Sequence, residues 1–180
     1  MNHLCTVVLL ALVSSAAAAA PPPGCELRDS GRYVCKAKLT VNAAGQLIIN
    51  PDQILVPRPE LGTRVVVVWR LTNDNYHFDA VAKDGIRLKK PNAQFTDPCA
   101  SNDDGECFPV PKPNKFRWKV ANTAAFDELY CITLYDNSGV PHFYDPTIRN
   151  SFSLLDSWTS GGPPSMTASA PINPVKSCPK

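Results

Sequence analysis

The chain has 180 residues, 18 basic and 16 acidic side chains, a formal net charge of +2 and 44% hydrophobic content. That near balance excludes a field strong enough to draw nucleic acid or an anionic membrane surface. Eighteen prolines and nine glycines cut the chain into short pieces, a rhythm that suits an all-β protein.

Residues 1–20 read as a secretory signal peptide. Leu4 to Val13 is a short apolar run, and Ser14-Ser15 leads into five alanines that offer A-x-A cleavage positions. The run is too short to span a bilayer, and nothing later reads as a stop-transfer helix, so no membrane span is expected. The expected location is secreted or periplasmic, with one β-sandwich domain over 21–150 and a Ser/Gly/Pro-rich tail over 151–180. About 160 mature residues can bury a core without relying on disulfides alone.

Tyr33 to Val41 alternates as a strand, with Cys35, Ala37, Leu39 and Val41 on one face. Asn42 to Gly45 is a turn, and Gln46 to Ile49 starts a second extended piece. Asn50-Pro51-Asp52 breaks it, Ile54 to Val56 resumes it, and Pro57 to Gly62 is a loop. Thr63 to Thr72 is the clearest strand. Val65, Val67, Trp69 and Leu71 share one face while Val66 and Val68 keep the other apolar, so this strand is expected to be central and covered on both sides. His77 to Val81 and Ile86 to Leu88 are short strands around the turn Lys83-Asp84-Gly85. Pro91 to Asn114 is predicted as a long irregular excursion. Lys115 to Val120 alternates again, with Phe116, Trp118 and Val120 inward. Glu128 to Tyr135 and Val140 to Ile148 form a hairpin around Asp136-Asn137-Ser138-Gly139. No helix, internal repeat or Asn-x-Ser/Thr sequon is found.

Export places the cysteines where thiols pair. Cys5 leaves with the leader, and Cys25, Cys35, Cys99, Cys107, Cys131 and Cys178 can form three bridges. Cys25 and Cys35 flank the turn Arg28-Asp29-Ser30-Gly31, so they face each other across a tight hairpin. Cys99 and Cys107 close a polar loop with no apolar content of its own, which leaves Cys131 with Cys178. There is no Cys-x-x-Cys redox motif.

These short strands at Greek-key spacings point to an all-β, Greek-key β-sandwich. Gly62-Thr63-Arg64 leading into Val65 to Trp69, then Asn73 to His77, a long loop, and Tyr130-Cys131 on an aromatic strand together resemble the cupredoxin fold. The ending Tyr144-Asp145-Pro146-Thr147-Ile148-Arg149-Asn150 is similar to the Asp-Pro-x-Ile-x-Asn close of the DP-EP family, small bacterial proteins of undefined role; the Glu-Pro pair is missing here. The resemblance implies a fold and supplies no activity.

One metal site can be drawn. His77, Cys131 and His142 provide two imidazoles and a thiolate, the ligand set of a blue-copper centre. Against it, Cys131 and His142 lie eleven residues apart, whereas cupredoxins aim both from one tight loop. The nearest later methionine, Met166, is in the tail, and a thiolate ligand would leave an odd number of mature cysteines. With a four-residue turn over Asp136–Gly139, Thr133 faces His142 and Cys131 faces Tyr144. Cys131 and His142 are then diagonal neighbours on one face, while Ile132, Leu134 and Phe143 line the core face. Copper is therefore the alternative reading, and the first reading assigns no cofactor.

The remaining candidates have plain readings. His77 suits a strand end hydrogen-bonded to a turn. Asn102 to Glu106 lacks the alternate-position spacing of a calcium loop and reads as a solvated turn. Lys112, Lys115, Arg117 and Lys119 make a basic edge, suited to an acidic partner or to protecting an edge strand. No Gly-x-Ser-x-Gly, His-Glu-x-x-His or phosphate-cradling loop occurs. The expectation is a monomeric, non-enzymatic binding or structural protein presenting the Pro91 to Asn114 loop and a sheet face to a protein or glycan partner.

Overall fold

A computed structural model describes residues 24–51, 64–79, 85–121, 126–150 and 170–178. The leader, Ile54 to Val56 and the loop to Gly62, Val81, and 151–169 lie outside the described residues. Among the described residues there are strands and turns and no helix.

Among the described residues seven strands come before the second half of the long loop: β1 (Cys25–Leu27), β2 (Tyr33–Val41), β3 (Leu47–Asn50), β4 (Val65–Leu71), β5 (Tyr76–His77), β6 (Ile86–Leu88) and β7 (Phe95–Ala100). Five follow: β8 (Lys115–Val120), β9 (Phe126–Asp136), β10 (Pro141–Tyr144), β11 (Thr147–Asn150) and β12 (Pro174–Val175). The first sheet runs β1-β2-β4-β8-β7, with β3 also on β2. Its β2–β4 pair is parallel, Tyr33 beside Val65 and Leu39 beside Leu71, and the others are antiparallel. The second sheet is built on β9, which pairs β5, β6, β10 and β11, with β12 added outside β10. β10 and β11 keep one register along β9, Tyr144 opposite Ile132 and Thr147 opposite Leu129. The break between them falls at Asp145-Pro146, where proline has no N–H to give the ladder.

The alternation seen in the sequence decides which side chains meet. Cys35, Ala37, Leu39 and Val41 of β2, Val65, Val67, Trp69 and Leu71 of β4, and Phe116 and Val120 of β8 join Tyr130, Ile132 and Leu134 of β9 in one buried cluster. Trp69 packs on Tyr130 with ring centroids 5.8 Å apart, and Phe78 on Phe116 at 5.7 Å. The two sheets thus share a single core. As its unbroken apolar run requires, β4 is interior, and Val65 to Trp69 are each at most 2% exposed.

Three expectations change. Pro91 to Asn114 is not wholly irregular, because β7 lies within it. That strand escapes pattern reading because it is bulged between Thr96 and Cys99, with Asp97 at φ 51°. β8 is not an edge, since β7 covers it. The β9–β10 loop has three residues, Asn137 to Gly139, rather than four, Asp136 N–H donating to Val140 O at 3.1 Å, so His142 faces Leu134 and Tyr144 faces Ile132. Tyr144 rather than Phe143 therefore enters the core. Residues 170–178 return to the sheets, where Ile172 bridges Leu47 and β12 pairs β10.

Candidate functional site

Among the described residues six cysteines form three bridges. Cys25 joins Cys35 across the β1–β2 hairpin, Cys99 joins Cys107, and Cys131 joins Cys178. The first is in the core, the second closes a loop on the outer face of the first sheet, and the third ties the returning tail to β9.

His77, Cys131 and His142 are not brought together. Residues directly opposite in an antiparallel pair share a face. His142 opposes Leu134, on the core side of β9, while Cys131 is one strand position out of phase and points away. His77 opposes Tyr135 and so shares the Cys131 side. The Cys131 sulfur is bonded to Cys178, so no thiolate is available there. His142 Nε2 sits 3.1 Å from Asp136 Oδ2 and stacks edge-on with Tyr76, and His77 stacks on Tyr135. Burial, then Lys112, hold the His77 imidazole below its ordinary value, with Asp79 and Asp136 acting the other way. Among the described residues no group of three His, Cys, Asp or Glu side chains has metal-binding geometry.

The acidic stretch after Cys99 is a turn with exposed carboxylates, as expected, and it also lies as a flap against the first sheet. Asn102 Oδ1 accepts the N–H groups of Asp104 and Glu106 at 3.0 and 2.9 Å and folds the loop on itself. Gly105 then lies against the sheet at φ +71°, where a Cβ would come 2.8 Å from Val66 Cγ1. The flap covers Val34, Val66 and Val68, a second buried cluster at most 1% exposed. Its carboxylates meet the basic side chains of the sheet. Arg32 pairs with Glu106, Arg28 lies 3.4 Å from Asp104, and Lys115 and Arg70 lie 3.1 and 3.8 Å from Asp103. The hydrogen bond from Arg32 holds Glu106 below its usual range, and that from Lys115 does the same for Asp103. Lys115 and Lys119 are thus internally paired, the latter with Asp97 at 2.6 Å.

Arg117, between them, is only 4% exposed. Its Nε–H donates to Cys99 Sγ at 3.0 Å and its Nη2–H to Cys107 Sγ at 2.7 Å. Simple alternation groups it with its lysine neighbours as a surface charge; only the flap, invisible to periodicity, reveals it as buried.

At the start of the same long loop is a groove of about 610 Å³ lined chiefly by Arg87, Leu88, Pro91, Phe95, Pro98 and Trp118. Trp118 is held by its Nε1–H donating to Ile86 O at 3.1 Å and by an edge contact with Phe95. Its apolar walls come from residues that the sequence shows separately, in β6, β7 and β8. A second cleft, lined by Lys36, Lys38, Arg70 and Asp74 among others, is polar, and two of its cations already face Glu26 and Asp103.

No family model, curated protein or solved structure was found to match this chain.

Proposed function

We propose that this is an exported, non-enzymatic binding module, a disulfide-braced Greek-key sandwich of cupredoxin-like type, whose groove at Trp118 takes an apolar segment of a protein partner. Three bridges suit an oxidising compartment, and two sheets over one core suit the sandwich. The groove carries the reading. A preformed concavity walled by Trp, Phe, Leu and two prolines matches the composition of recognition pockets. A glycan needs a row of hydrogen-bonding side chains, whereas here Arg87 and Asn92 are the polar members of the lining. With Lys90 exposed between Leu88 and Pro91, the rim is basic, which favours an acidic residue flanking the bound apolar segment.

A displayed random-peptide library panned on the mature protein tests this. Enriched peptides should carry an apolar core with an adjacent carboxylate and lose binding on Trp118→Ala. Absence of enrichment, or peptides indifferent to Trp118→Ala in a folded variant, contradicts it. A parallel glycan array that gives Trp118-dependent binders would replace the partner class.

A further inference from the structure

The three bridges are chemically unequal. Both sulfurs of Cys25–Cys35 are buried, Cys131 is buried with Cys178 half-buried, and Cys99 is buried with Cys107 exposed. The Cys99–Cys107 bridge also has a guanidinium against both sulfurs. Arg117 is buried mid-sheet with two of its nitrogens on sulfur, while its Nη1 has no acceptor. The carboxylates nearest in charge are engaged elsewhere, Glu106 with Arg32 and Asp97 with Lys119. A cystine sulfur is a weak acceptor, so a buried cation resting on one is poorly compensated. A thiolate at the same place would supply a full counter-charge. A nearby cation is what stabilises a thiolate and makes a disulfide easier to open.

We propose that Cys99–Cys107 is a thiol–disulfide exchange site, at which an external low-molecular-weight thiolate attacks the Cys107 sulfur and Arg117 stabilises Cys99 as the departing thiolate. In the first step the S–S bond breaks, its electron pair goes to Cys99 Sγ, and a mixed disulfide forms on Cys107. A second thiolate attacks the external sulfur of that mixed disulfide and releases Cys107 as a thiolate beside Arg117 Nη2. In sum two external thiols are oxidised to their disulfide and one protein cystine is reduced. Opening removes the covalent end of the flap over Val34, Val66 and Val68, leaving it on its ion pairs, the Ser101 N–H to Lys115 O bond and the Gly105 contact with Val66. The proposal is independent of what the groove binds.

The test is equilibration of the folded mature protein in glutathione redox buffers, followed by acid quench, alkylation and mass mapping of each bridge. Cys99–Cys107 should open before the other two, its equilibrium constant roughly tenfold or more apart from theirs, about 30 mV. The trapped glutathione adduct should map to Cys107 with Cys99 alkylated. Arg117→Met should shift the constant back by about tenfold, and Arg117→Lys should recover part of it. Bridges that open together, an adduct on Cys99, or a folded Arg117→Met variant with an unchanged constant each overturn the proposal. If Arg117→Met does not fold, pH-dependent alkylation of Cys99 in the opened wild-type protein decides. A thiol pKa below the ordinary value of about 8.5 supports the proposal, and one at or above it overturns it.

Discussion

His142 stands directly opposite Leu134 across the β9–β10 hairpin, and this one pairing separates it from Cys131. Had the turn closed on four residues, both side chains would share a face with His77 nearby. Closure on three residues, with Gly139 at φ +79°, shifts the whole of β10 by one position and sends His142 to the other side. Adding Cu(II) to the oxidised protein should therefore produce no intense thiolate-to-copper band in the visible. Such a band, lost on His142→Ala, contradicts this register.

Gly105 and Gly45 both have positive φ, but their surroundings differ. At Gly45 a Cβ meets nothing within 4 Å, while at Gly105 it runs into Val66. Gly45→Ala should cost backbone strain alone, about 1 kcal/mol. Gly105→Ala should cost clearly more, since the flap must also lift from the sheet. Urea midpoints of the two variants check this; equal losses would show that the flap is not seated on Val66.

Asp103 and Glu106 ionise more readily in the folded protein than in the unfolded chain, because Lys115 and Arg32 hydrogen-bond their carboxylates. A lowered folded pKa gives stability that is complete above the ordinary carboxylate range and is lost as pH falls through and below it. Asp103→Asn with Glu106→Gln should therefore weaken the protein at neutral pH and differ progressively less from wild type below about pH 4. Added salt should shrink the neutral difference too, since these pairs are exposed. Denaturant melts of both proteins across pH give the comparison, and a difference that does not change with pH contradicts the pairing.

Cys131–Cys178 spans 47 residues, the longest closure of the three. In the chain-entropy picture it stabilises by about 4 kcal/mol, more than either short bridge. It also holds the tail over β9, where Thr133 is only 6% exposed. Replacing both cysteines by alanine should lower the urea midpoint accordingly and restore amide exchange at Leu47, whose N–H donates to Ile172 O at 2.9 Å. Unchanged protection at Leu47 would show that the tail docks without its bridge.

Much of the fold was legible because period-two alternation is a local signal. Leu39, Val67, Trp69 and Phe116 declare their faces within their own strands, and all are core residues. The cysteine spacings likewise reported local closure, Cys25 with Cys35 across a turn and Cys99 with Cys107 around a polar loop. What periodicity cannot carry is register and layering. β7 was hidden by its bulge, Tyr144 and Phe143 exchanged faces through one turn residue, and Arg117 looked like its exposed neighbours because the flap that buries it comes from earlier in the chain. The groove at Trp118 draws on three strands and had no linear signature.

Non-reducing digestion of the protein as recovered from its producing cells, with mass mapping of its cystine peptides, tests the account most directly. The expected pattern is Cys25–Cys35, Cys99–Cys107 and Cys131–Cys178 in a chain whose leader has been removed, with no free thiol. A different connectivity, or protein recovered with its leader intact and its thiols reduced, would contradict it.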